Sequence, residues 1–237
     1  MIPIHDLNPT RRKPLLTWGL LVLNVLVFLW EASFSEQALF QVFTRISVVP
    51  AQVAAAPFAL ETQLDILRSM FLHGGWAHLI GNMLYLYLFG DNVEDRFGRP
   101  LYLLLYIACG YVAVVAQVMI DATSQIPLVG ASGAIAGVLG SYLVLYPSVR
   151  VRGIIPLGLF SRFAEWPAWV VLALWFGIQL FSGLASLGPE MMGGVAFFAH
   201  IGGFVCGMLL TLPLRAMQPP ASASNEMLYQ RARRYRY

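Results

Sequence analysis

"GASGAIAGVLG", Gly130 to Gly140, sets one serine among glycines and alanines in the middle of an apolar chain. Two readings compete for Ser132. In one it is a small side chain that lets two helix backbones approach, as small-xxx-small patterns do inside membranes. In the other it is a nucleophile, which requires a base within hydrogen-bond reach. The glycines favour close packing: Gly133 and Gly137 stand four apart, and Gly203 and Gly207 repeat the spacing in "AHIGGFVCGM". The readings are compatible, because helices that close on each other can carry a base to the serine.

The chain has 237 residues, of which 58% are hydrophobic and 11% charged. Soluble domains carry about 25% charged residues. Lipid is therefore the expected solvent, and the length accommodates one membrane domain. The formal charge is +3, but the basic residues lie at the ends of apolar runs and form no polar face, so no nucleic-acid partner is expected. Cys109 and Cys206 both lie inside apolar runs and read as small buried side chains, not as a disulfide or a metal pair.

Runs of about 20 apolar residues read as transmembrane helices. Six are found, at about Leu15–Ser33, Trp76–Gly90, Leu101–Ile120, Ser132–Tyr146, Pro167–Leu184 and Val195–Leu214. The first reads as a span and not as a cleavable signal. The fold class expected is an all-α membrane protein, a six-helix transmembrane bundle with a long membrane-associated first loop, Phe34 to Gly75. Residues 1–14 form a cytoplasmic N-terminal segment, 15–215 the membrane domain, and 216–237 a flexible basic tail. Thirteen of the fifteen Lys and Arg residues fall on the side shared by both termini; Arg45 and Arg68, in the first loop, fall on the other. By the positive-inside rule both termini are cytoplasmic.

Depth along these helices locates the polar residues. Ser132 lies 15 residues before Pro147, and His200 lies 15 before Arg215. At 1.5 Å per residue both sit about 22 Å above the cytoplasmic ends. His78 lies 13 residues before Asp91, about 20 Å up, with Asn82 on the same helical face. Polar groups at such depth face cavities or partners. The peptide from Asp121 to Ala131 must dip into the bilayer to reach Ser132, which is tolerated only inside protein or along water. The expectation is a water-filled cavity open to the outside with Ser132 on its floor.

Of the polar side chains at this depth, His200 is the best placed to act as base to Ser132, and a Ser–His pair performs acyl transfer. Ser132 opens its helix, so its N–H and the positive helix end serve a developing oxyanion. His78 and Asn82 supply two more donors. Asp91, Glu94 and Asp95 lie at the cytoplasmic end, leaving a dyad without an acid.

"HGGWAHLIGN", "GASG" and "AHIGG" together resemble the signature motifs of rhomboid intramembrane serine proteases. The resemblance covers the six-helix core. It implies Ser132 as nucleophile within a Gly-x-Ser-Gly pattern on Gly130, Ser132 and Gly133, with His200 as base. It implies His78 and Asn82 at the oxyanion and substrate site, and His73 in ordering a loop. It also implies single-span membrane proteins as substrates, with no metal and no cofactor, in a bacterial or archaeal plasma membrane. Two features depart from the family pattern. "FTRIS" holds only Arg45 where many members carry a Trp-Arg pair, and Ala136 stands where some place a tyrosine against the catalytic histidine.

Other readings remain. A non-proteolytic relative would bind membrane-protein clients, and a small transporter would use Asn82, His78 and His200 as a polar path. The chain keeps both Ser132 and His200 and shows no internal repeat of the kind transporters carry. "DNVEDRFGR" is read as capping spans two and three, its charges paired with each other. His5 is read as exposed and idle. Span five is the candidate mobile gate, and "SLGPEMMGGVAFF" the candidate cap.

Overall fold

The computed structural model describes residues 1–156, 158–187 and 195–217. The tail and the middle of the candidate cap lie outside the described residues. Each of the six apolar runs is a helix: α1 (Leu15–Glu31), α5 (Trp76–Phe97), α6 (Arg99–Ile120), α7 (Ser132–Leu145), α8 (Ala168–Ala185) and α9 (Phe197–Met217). The first loop is itself helical, as α2 (Glu36–Ile46), α3 (Pro50–Ala55) and α4 (Leu60–Ser69). Among the described residues α6, α8 and α9 are long and apolar enough to cross a membrane, and α1 and α7 are shorter apolar helices. α5 is apolar over most of its length and carries Asp91, Glu94, Asp95 and Arg96 in its last two turns.

The exterior is apolar. Val22, Leu26 and Leu29 on α1, Leu174, Ile178 and Phe181 on α8, and Leu209 and Leu212 on α9 are all exposed. So broad an apolar surface calls for lipid around it. With lipid outside, apolar transfer does not drive helices together, and close packing of small side chains does. The central helix, α7, follows that rule, and Gly133 to Tyr142 are all buried. It contacts α9 most extensively and lies against α5 and α6 as well. A Cβ on Gly203 would overlap the carbonyl oxygen of Gly133, and one on Gly207 would overlap that of Gly137. Across the same seam, Ser141 Oγ donates to the carbonyls of Gly137 and Gly207 at 2.9 and 3.2 Å.

The chain is mostly helical but not wholly so. A three-stranded antiparallel sheet, β1 (Ile2–Asp6), β2 (Arg150–Ile155) and β3 (Arg162–Pro167), joins the N-terminus to the α7–α8 connection in the order β1-β2-β3. His5 is therefore a strand residue paired in register with Arg152, not an idle one. Asp6 turns inward and accepts from Tyr142 Oη at 2.8 Å and Asn92 Nδ2 at 2.9 Å, which fastens the strand to α7 and α5.

The acidic end of α5 also differs from expectation. It caps α1, not spans two and three. α1 begins after Pro14, with no side-chain cap of its own. Glu94 takes that part: it accepts from the backbone of Leu16 and Thr17 at 3.1 and 2.7 Å and from Thr17 Oγ1 at 2.8 Å. The orphan donors of a helix start need such partners when buried. Asp95 binds Arg11 Nε at 3.1 Å and the Arg12 backbone at 3.2 Å. Of the expected pairs within the cluster, Glu94 and Arg99 approach to 3.6 Å.

Two outcomes follow for thermal unfolding in detergent. Gly207→Val should cost about 1–3 kcal/mol or more through overlap with the α7 backbone. Gly81→Ala, where nothing lies within 4 Å of the added Cβ, should hold or raise the midpoint, since alanine exceeds glycine in helix propensity by up to about 1 kcal/mol. Second, burial, reinforced by Asp91, pushes the Asp6 carboxyl up to about 8. The native state then holds a proton that the unfolded chain releases near the ordinary 3.8. Its contribution is present below pH 4 and is lost as the pH rises to about 8. Asp6→Asn should flatten stability against pH across that window; an unchanged slope would assign the dependence elsewhere.

Candidate active site

Ser132 is delivered by a loop that other elements hold down. The backbone of residues 121–131 leaves α6 and runs against the first loop, where Leu128 N–H donates to Val48 C=O at 2.7 Å and Gly130 N–H to Ser69 C=O at 2.9 Å. Val48, Val53, Ile66, Met70 and Val114 form a small apolar cluster behind it. The first loop thus supplies the partners that non-helical backbone needs away from water. Gly130 has φ +134°, a conformation L side chains rarely adopt. The chain then turns directly into α7, with Ser132 as its first residue and no side chain capping that end. Ser132 is partly exposed, although the next ten residues of α7 are buried.

The glycine seam brings α9 against this point. His200 Nε2 lies 2.7 Å from Ser132 Oγ. Helix α8 closes the other side of the imidazole: Gln179 Oε1 lies 2.7 Å from His200 Nδ1, and the Trp175 ring centre lies 6.0 Å away at 36°. Gln117 Oε1, from α6, accepts from Ala199 N–H at 3.2 Å and so holds the residue before the histidine.

Helix α5 supplies the third side. A Cβ on Gly130 would meet His78 Cε1 and Nε2 at 2.7 Å and Ser132 Oγ at 3.4 Å, so His78 and Ser132 flank the glycine. Asn82, one turn on, is buried, and its Nδ2 has no hydrogen-bond partner among the described residues. A buried amide donor left idle is costly.

His73 is not part of the Ser132–His200 pair. It is fully buried, its N–H bonds both carboxylate oxygens of Glu31 at 3.1 Å, and its ring lies 5.2 Å from that of His78. It ties the end of the first loop to α1 and backs His78. Gly133 faces Ala113 Cβ across the α6–α7 contact. Arg45 is exposed near the end of α2. Among the described residues no three His, Cys, Asp or Glu side chains cluster as metal ligands would.

Sequence reasoning assigned no part in the site to Gln179, Trp175, Gln117 or Glu31. A signal was present for three of them. A carboxamide or carboxylate inside an otherwise apolar helix is expensive unless it has a partner, so Gln117, Gln179 and Glu31 each called for one. Trp175 gave no such cue, because aromatic residues are common on lipid-facing helices.

Comparison with known proteins identifies the family. The family profile described as Rhomboid domain matches residues 61–217. The chain is 33% identical over 145 residues to RHOMBOID-like protein 4 of Arabidopsis thaliana, covering 61% of this chain and 32% of that protein. It is 27% identical over 213 residues to Rhomboid protease AarA of Providencia stuartii, covering 83% and 71%. It is 33% identical over 148 residues to Rhomboid protease GluP of Bacillus subtilis (strain 168), covering 62% and 26%. The chain thus spans about a third of the plant relative and about a quarter of GluP.

Gly130→Ala tests the floor of the site. It forces an L residue into a disfavoured backbone region and a Cβ into the His78 ring. The rate at which a fluorophosphonate labels Ser132 should fall about tenfold to 100-fold, in line with the cost of a misplacement near 1 Å, while far-ultraviolet circular dichroism stays unchanged. A wild-type labelling rate would show that the Gly130 conformation does not set the site.

Proposed function

This chain belongs to the rhomboid family, and we propose that it is an intramembrane serine endopeptidase that hydrolyses peptide bonds in or near transmembrane segments through a Ser132–His200 dyad. The observation that carries this reading is the 2.7 Å approach of His200 Nε2 to Ser132 Oγ. It is the nucleophile–base geometry that acyl transfer requires. Two of the relatives are named rhomboid proteases. The apolar helices and the family together make the chain an integral membrane protein. Six spans with both termini in the cytoplasm are the arrangement we propose, with single-span membrane proteins as substrates.

The steps follow from the donors and acceptors present. Ser132 Oγ gives its proton to His200 Nε2 and attacks the scissile carbonyl carbon. The carbonyl oxygen becomes an oxyanion, met by the Ser132 N–H at the uncapped start of α7, by Asn82 Nδ2 and by His78. Collapse of the intermediate breaks the C–N bond, and the leaving amine takes the proton from His200. Water then attacks the acyl-serine ester, again giving a proton to His200, and regenerates Ser132 on departure of the acid. The oxyanion exists only between ground states, so donors that idle in the resting enzyme favour the transition state over the substrate.

The test needs no knowledge of the substrate. Purified wild-type protein in detergent should be labelled by a fluorophosphonate, and Ser132→Ala and His200→Ala should both abolish the labelling. Asn82→Ala should retain the fold and cleave a model transmembrane substrate about 10²–10³-fold more slowly, the range for losing one oxyanion donor. Folded wild-type protein that resists labelling would sink the hydrolytic reading and leave "GASG" as a place where helices touch.

A further inference from the structure

Helix α8 reads AWVVLALWFGIQLFSGLA. Gln179 is its one carboxamide, set among residues that otherwise suit lipid. A carboxamide on an otherwise apolar helix gains from a hydrogen-bond partner, and half-buried Gln179 has one in the histidine of the site, His200 Nδ1, 2.7 Å from Gln179 Oε1. The second contact is independent of the first. Trp175, one turn earlier on the same helix, places its ring 6.0 Å from that of His200. The position one turn after Ser132 is Ala136, which is fully buried and carries no polar group that could orient the imidazole.

A neutral imidazole carries hydrogen on one nitrogen and a lone pair on the other. For His200 to take the proton of Ser132, Nε2 must be bare, so Nδ1 must carry the hydrogen. A carbonyl oxygen facing Nδ1 selects that tautomer, because it accepts and cannot donate. When Nε2 gains its proton, the Nδ1–H becomes part of a cation and its bond to Oε1 strengthens. Gln179 itself neither gains nor loses a proton. Its carboxamide orients the ring as an uncharged acceptor.

We propose that Gln179 is the positioning residue of His200, a third member of the site that fixes the tautomer and angle of the base from α8. The role rests on the hydrolytic reading given above. It makes the seating of α8 on α9 a condition for an active dyad, since the helix carrying the orienting group is not the one carrying the nucleophile or the base.

The experiment compares fluorophosphonate labelling rates of wild type, Gln179→Met and Gln179→Glu in detergent, alongside nitrogen-15 spectra of histidine-labelled wild type with His200→Gln as the assignment control. Methionine keeps the length and flexibility of the side chain without its carbonyl; glutamate keeps an oxygen. The expected result is labelling about 100-fold slower in Gln179→Met, most of the rate recovered in Gln179→Glu, and a His200 spectrum with hydrogen on Nδ1. Equal rates in wild type and Gln179→Met would overturn the proposal, as would a His200 carrying its hydrogen on Nε2. Equal loss in both variants would also overturn it, because an acceptor oxygen at this position would then not restore the rate. Absence of labelling in folded wild type is a different failure: it removes the hydrolytic reading itself.

Discussion

The backbones of α7 and α9 run so close that a Cβ at Gly203 or Gly207 would overlap a carbonyl oxygen of the facing helix. Glycine at these positions is what allows His200, three residues before Gly203, to reach the serine one residue before Gly133. A side chain at Gly203 or Gly207 would push the helices apart, and N–H···O hydrogen bonds are confined to about 2.7–3.2 Å. The packing reading and the catalytic reading of "GASG" are thus one arrangement: the close contact creates the pair.

The same economy governs the rest of the bundle. With an apolar exterior, the specific interactions lie inside and are polar. Glu94 caps a helix that lacks its own cap, Glu31 holds the backbone of His73, and Asp6 pins an N-terminal strand to α5 and α7. Each is a buried carboxyl group given partners at the point where two elements meet. Such groups contribute register more than net stability, since breaking one partner leaves the other stranded. The first loop plays the corresponding part for backbone, giving carbonyls at Val48 and Ser69 to the peptide that carries Ser132.

Much of this was legible in the sequence, for physical reasons. Apolar runs mark helices wherever lipid is the solvent, and all six appear with ends within a few residues, apart from α5, which continues past Gly90 to Phe97. Counting residues from the charged ends placed Ser132, His78, Asn82 and His200 at one level, and the structure brings Ser132 to His200 and sets His78 beside Gly130. What stayed hidden depends on partners far apart in the chain. The sheet needs Ile2–Asp6 to find Arg150–Ile155, and short mixed strands carry weak periodicity. Glu94 and Asp95 were read as capping residues, but the helix they cap could not be read from their neighbours. Gln179 was visible as a polar residue in an apolar span, yet no spacing rule linked it to His200.

A peptide bond inside a bilayer is protected from water and from soluble proteases. Hydrolysing it requires a nucleophile, a base and oxyanion donors held by helices at that depth, which is the arrangement proposed for Ser132, His200, Asn82 and His78. The most direct measurement is reconstitution of the protein in liposomes with a single-span membrane protein, followed by mass spectrometry of the fragments. The expected result is one cleavage in or near the transmembrane segment, present with wild type and absent with Ser132→Ala. An intact substrate in both samples, with the enzyme folded and the substrate correctly inserted, would contradict intramembrane proteolysis as the function of this site.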